Sequence, residues 1–129
     1  MHALIISVLP FSLSVCRLEA DCSIPGWASA GPFFAITRTS EELSVVCEAA
    51  MVPEGIRSES GWCALKVEGP LDFALTGILA RLSGVLAEAE ISIFALSTFD
   101  TDYILVREAR LDAAVAALRE AGYIVERYN

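Results

Sequence analysis

Chemistry in a protein needs side chains that carry charge, protons or lone pairs, and in this sequence they concentrate between residues 97 and 102. Ser97, Thr98, Phe99, Asp100, Thr101 and Asp102 set two carboxylates and three hydroxyls around one aromatic ring. Ile91, Ile93, Phe94 and Leu96 lead in, and Tyr103, Ile104, Leu105 and Val106 lead out. A turn between two strands is the natural setting, and there Asp is favoured simply because it bonds to its own backbone. A hard cation on Asp100 and Asp102 would need six or more oxygens, with Glu41 and Glu42 the next candidates. A general acid–base pair would need a nucleophile or an oxyanion donor, and beyond backbone none is close in sequence. The same residues can also form the rim of a binding pocket, with a carboxylate for an ammonium group and a ring for an apolar wall.

The remaining inventory narrows the chemistry. The only histidine is His2, at a terminus, which removes His-based triads and most zinc sites together. Cys16, Cys22, Cys47 and Cys63 contain no Cys-x-x-Cys pair and read as reduced, small core hydrophobes. The net charge is −8 and the nine Lys and Arg residues are scattered, so the basic stripe that nucleic acid requires is missing. No run reaches the 18 or so consecutive apolar residues of a membrane span. The apolar start lacks a charged n-region and is broken by Pro10, so a cytosolic protein is expected. With 55% hydrophobic and 20% charged residues, the chain can bury a core in one domain or two small ones.

The second half states its elements clearly. Trp62–Gly69 alternates as a strand and Gly69-Pro70 ends it. Leu75, Ile78, Leu79, Leu82, Val85, Leu86 and Ala89 follow helical spacing, with Thr76 before the run as a candidate cap. Residues 91–98 and 103–108 predict two strands. Leu111, Ala114, Val115 and Leu118 mark a second helix, with Asp112 in its first turn, Arg119 in its last and Gly122 just beyond. Residues 123–128 predict a closing strand. The order is βαββαβ, a ferredoxin-like α+β arrangement of antiparallel strands with helices on one face. Around Phe94 both alternate sets are apolar, so the second face of the sheet is expected to be covered, and a homodimer follows as an expectation.

The first half repeats the theme imperfectly. ITRTSEELSVVCE at 36–48 aligns on LSTFDTDYILVRE at 96–108 with an offset of sixty, so that Ser40 meets Asp100 and Glu42 meets Asp102. Strands are predicted at 12–18 and 33–39, and the intervening SIPGWASAGP is too broken for a full helix. Two tandem units are expected, a degenerate one over residues 1–61 and a complete one over 62–129.

Together, GPLDFALTGILARLSGVLAEAEISIFALSTFDTDYILV and its S-T-x-x-x-D-x-x-L-V hairpin resemble an ACT domain, the small ligand-binding module of amino-acid-regulated enzymes. The arrangement resembles free-standing bacterial proteins with tandem ACT units, and also cytosolic arginine sensors and aspartate kinase regulatory regions. The resemblance implies a non-catalytic regulatory or sensor protein without a cofactor, binding a free amino acid at the interface between ACT units. It implies that the ligand meets Asp72, Leu75, Thr76, Gly77 and Ile78 of the strand-to-helix loop and Thr98, Phe99 and Asp102 of the hairpin. Backbone N–H groups near Gly77, at a helix start, suit a carboxylate, and Asp102 suits an ammonium. The loop position that is acidic in arginine sensors is matched here by Leu75, which points away from a guanidinium ligand. The output would pass through an unidentified partner enzyme, and a ligand-free dimeric interaction module is the alternative. An acylphosphatase-type enzyme would need an asparagine beside its anion loop, and the only one is Asn129.

Overall fold

The computed structural model describes residues 4–68 and 77–127. Its strands are β1 (Ile5–Val8), β2 (Leu13–Leu18), β3 (Phe34–Arg38), β4 (Leu43–Glu48), β5 (Ser58–Val67), β6 (Ile93–Ser97), β7 (Asp102–Arg107) and β8 (Ile124–Arg127). The helices are α1 (Ile78–Glu88) and α2 (Leu111–Glu120). Short 3-10 turns cover Gly26–Ser29, Ala49–Met51 and Glu108–Arg110. The chain forms two compact units, one of residues 1–10 with 63–129 and one of residues 11–62.

The larger unit contains the expected βαββαβ order, and its strands are arranged β8-β1-β5-β7-β6. One strand in that row was not expected. β1 inserts between β5 and β8, antiparallel to β5 with Ile6 opposite Val67, and parallel to β8 with Ile6 opposite Val125. The sheet is therefore mixed at this end, where antiparallel pairing alone was expected. The reason is burial: Ile6 and Val8 join Leu65, Val67, Ile104, Val106 and Val125 on the face that carries the helices. Against that face α1 sets Ile78, Leu82 and Leu86, and α2 sets Ala114, Val115 and Leu118, the helical spacing read from the sequence. Asp112 and Arg119 fall in the first and last turns of α2, favourable ends for the helix dipole. β5 spans Ser58 to Val67 and starts earlier than the predicted strand, because the polar stretch SES pairs with β2 in the smaller unit.

The smaller unit pairs β3 with β4, β4 with β2, and β2 with the first residues of β5, all antiparallel. Cys16, Ala28, Leu43, Val45 and Cys47 form its core, with Trp27 and Ile36 packed against it. β3, β4 and the turn Ala49–Met51 match β6, β7 and the turn Glu108–Arg110 element for element. The offset is fifty-nine, not sixty: Arg38 opposite Leu43 corresponds to Ser97 opposite Asp102. The correspondence ends at the next residue. Leu111 is helical, with φ −60 and ψ −46, and α2 follows. Val52, its counterpart, is extended with φ −82 and ψ 120. Val52 precedes Pro53, and the proline ring disfavours the helical region for the residue before it.

All four cysteines are free, and Cys16, Cys47 and Cys63 are buried. Burial pushes the Cys16 thiol up from an ordinary 9.0 to about 11, with Cys47 beside it adding to the effect. Burial likewise raises Cys63 to about 11, with Glu108 adding and Arg127 opposing.

Two predictions follow from this packing. Leu82 is fully buried, and Leu82→Ala should destabilise the chain by about 2–5 kcal/mol in urea titrations, with an unchanged slope. A thiol whose pKa is higher in the folded than in the unfolded state holds its proton more firmly when folded. The stability it contributes is complete below pH 9 and is lost as pH rises toward about 11. The urea midpoint should fall across that window, and Cys63→Ala should flatten the fall.

Candidate functional site

The polar stretch at 97–102 is a hairpin tip, built by its own hydroxyls. Ser97 and Asp102 face each other as the last pair of β6 and β7, and Ser97 Oγ donates to Asp102 Oδ1 at 2.7 Å. The Thr98 N–H donates to the Thr101 carbonyl at 2.8 Å. Thr98 Oγ1 also donates to that carbonyl, at 3.1 Å, and accepts from the Thr101 N–H at 3.2 Å. Thr98 thus satisfies the turn from both sides, which is what a Thr before a tight turn can do. Thr101 turns inward: it is buried, and its hydroxyl donates to the Val67 carbonyl at the end of β5. Phe99 points outward and is 82% exposed.

These contacts sort the expected site residues. Thr98, Phe99 and Asp102 share one tip, with the Asp102 carboxylate half-buried and oriented by Ser97. Gly77 lies at the N-terminal cap of α1 in the left-handed region, with φ +79. A glycine is suited to that backbone. As a glycine, the cap residue brings no side chain of its own to the first-turn N–H groups of α1. Ile78 is buried in the core, so only its backbone is available to a ligand. Asp72, Leu75 and Thr76, and with them the proposed Thr76 cap, lie outside the described residues. The Thr101–Val67 bond joins the hairpin to the strand end from which the loop to α1 departs.

Sequence reasoning grouped Thr101 with the other hydroxyls and gave it no role of its own. Its alternation with Asp102 was the available signal, because neighbouring residues at a strand end face opposite ways. Metal chemistry finds no support in the geometry: among the described residues no three His, Cys, Asp or Glu side chains converge to hold an ion. Shallow grooves also lie between α1 and α2, beside Val85, Glu88, Ala89, Ala117 and Ala121.

The smaller unit carries a matching tip. The Thr39 N–H donates to the Glu42 carbonyl at 2.9 Å, and Thr39 Oγ1 accepts from the Glu42 N–H at 3.2 Å. Its surroundings differ. Arg38 donates to the carbonyls of Ala20 and Cys22, the latter at 2.7 Å, and Arg17 donates to the Glu41 carbonyl at 2.9 Å.

Known proteins resemble this chain in sequence and in fold. Residues 57–120 match the family model of the ACT domain, and residues 12–55 match a second model, of an N-terminal domain. The chain is 34% identical over 123 residues to the cytosolic arginine sensor for mTORC1 subunit 1 of Bos taurus, and 33% identical to that of Homo sapiens. These alignments take in 89% of this chain and 37% of each relative, so the chain spans little more than a third of their length. A crystal structure of an Agrobacterium tumefaciens protein superposes with a TM-score of 0.93 at 36% identity, covering 100% of this chain and 96% of that one. The aspartokinase alpha and beta subunits share the fold at 16% identity, with a TM-score of 0.66 over 93% of this chain and 98% of theirs. Among the described residues no helix is long and apolar enough to cross a membrane. By its βαββαβ core, its hairpin and these similarities, the chain belongs to the ACT-domain family.

Proposed function

We propose that this protein is a non-catalytic, cytosolic regulatory module that binds a free amino acid at the 98–102 hairpin of its larger unit. The observation that carries the reading is the oriented carboxylate of Asp102 on the same hairpin tip as an exposed aromatic ring. A carboxylate already held by a neighbouring hydroxyl receives an ammonium group at little ordering cost. Phe99 then offers an apolar wall, and the N-terminus of α1 beyond Gly77 offers N–H groups and a favourable dipole for the ligand's carboxylate. Asp72, Leu75 and Thr76 complete the loop side of the site in this reading. It takes a second ACT edge to close the site over Phe99, and a homodimer supplies one.

Ligand identity follows from what the loop lacks. A guanidinium wants a planar carboxylate partner, and Leu75 supplies none, so an apolar or small polar amino acid is favoured over arginine. Binding at an assembly contact shifts the population of arrangements. The regulatory signal would pass to a partner enzyme.

A thermal-shift screen of the purified chain against the twenty amino acids tests this. A ligand at a hundred times its Kd adds about 2.7 kcal/mol of stability, and each kcal/mol moves Tm by roughly 2–8 °C. One amino acid, or a few of related shape, should raise Tm, and Asp102→Ala should abolish the rise. If none moves Tm while the chain remains dimeric, amino-acid binding is excluded and the hairpin serves as a protein-interaction surface.

A further inference from the structure

The repeated hairpins raise the question of how many ligands one chain holds. At the offset read from the sequence, Glu42 would stand where Asp102 stands, and Thr39, Ser40 and Glu42 would form a second site. The observed registers move that alignment by one residue, and a one-residue slip in a strand exchanges its faces. Leu43 takes the position of Asp102 and is fully buried, while Glu42 takes that of Thr101. Arg38 takes the position of Ser97, and Ser40 that of Phe99. The second tip therefore has an aliphatic side chain in place of the ammonium-binding carboxylate and a fixed cation in place of the hydroxyl that orients it.

The backbone around that tip is also engaged. Arg17 holds the Glu41 carbonyl, and Arg38 bridges to the carbonyls of Ala20 and Cys22. Charge-assisted bonds of this kind are among the stronger hydrogen bonds, so the Glu41 carbonyl held by Arg17 is not available to an incoming ammonium.

Building on the amino-acid-binding reading above, we infer that each chain holds one amino acid, at the 98–102 hairpin, and that the 39–42 hairpin is a non-binding counterpart closed by Arg17 and Arg38. The one-residue difference in register makes Asp102 the residue that separates the binding tip from its copy.

Equilibrium dialysis of the full chain against each of the twenty L-amino acids, one at a time, tests the count. The expected result is saturation at one equivalent per chain. Asp102→Asn should remove all saturable binding, and Glu42→Gln should leave Kd within about twofold. Two equivalents per chain, or residual saturable binding in Asp102→Asn that Glu42→Gln removes, would overturn the single-site inference while leaving amino-acid binding intact. A wild-type chain that takes up none of the twenty overturns both. The closure of the second tip has its own readout. Paired Arg17→Ala and Arg38→Ala substitutions should raise amide hydrogen exchange in segment 39–42 several-fold, and unchanged exchange would refute the closure.

Discussion

The buried hydroxyl of Thr101, donating to the carbonyl of Val67, is the contact on which the hairpin's placement depends. A polar atom shut away from water is costly unless it is paired, so the tip cannot swing away from β5 without leaving both a donor and an acceptor unsatisfied. One residue on, alternation sends Asp102 the other way, where Ser97 holds it. The same backbone thus fixes an inward anchor and an outward carboxylate. The core beneath is the helix-covered face with Val67, Ile104 and Val106 at its centre. Stability of the fold and orientation of the carboxylate are in this sense one property.

Much of this was legible in the sequence, and the parts that were not share a cause. Leu82, Leu86 and Leu118 repeat at helical spacing, which is a local signal, and both helices could be read from it. The strand of Ile5–Val8 could not be placed that way. Its partners Val67 and Val125 lie far along the chain, and an apolar tetrapeptide before Pro10 does not say which of them it will join. The start of β5 at Ser58 was missed because SES carries no apolar alternation, and its pairing with β2 decides the matter instead. Register was misjudged by one for a related reason. Between 36–48 and 96–108 the residue types match best at sixty, whereas the hydrogen bonds of Thr39 and Thr98 match at fifty-nine. Of the candidate site, Thr98, Phe99 and Asp102 were singled out by their types, and the hairpin brings them to one tip. The anchoring by Thr101 and the burial of Ile78 depend on tertiary neighbours that no motif records.

The smaller unit has the same strand, turn, strand and 3-10 turn, and then loses its way at a single proline. With Val52 held extended before Pro53, the chain cannot continue into a helix as it does at Leu111. An amphipathic helix brings several large side chains to a sheet at once. Without it, the unit covers its sheet with the short turn at Gly26–Ser29, where Ala28 is buried and Trp27 packs on the core. The indole of Trp27 and the methyl of Ala28 pack on the core from that turn in place of a leucine-rich helix face. Arg38 and Arg17 tie the 20–22 segment and the 41 position of this unit to its strands.

That contrast bears on how an amino acid at the other tip could be felt elsewhere. Thr98, Thr101 and Asp102 are each engaged by hydrogen bonds within their own unit, so little of the tip is left to be ordered when a ligand arrives. A site that is already formed transmits little change into its own core, because packed cores do not deform continuously. What changes is the surface beside it. Phe99, 82% exposed, is the apolar group whose environment a ligand would alter most. Removing an aromatic ring from water is worth a few kcal/mol, at roughly 25 cal/mol per Å² of apolar area. Regulation in this reading acts on assembly at the hairpin edge, with the fold of each unit unchanged, and its strength is set by how much of that ring a second surface covers.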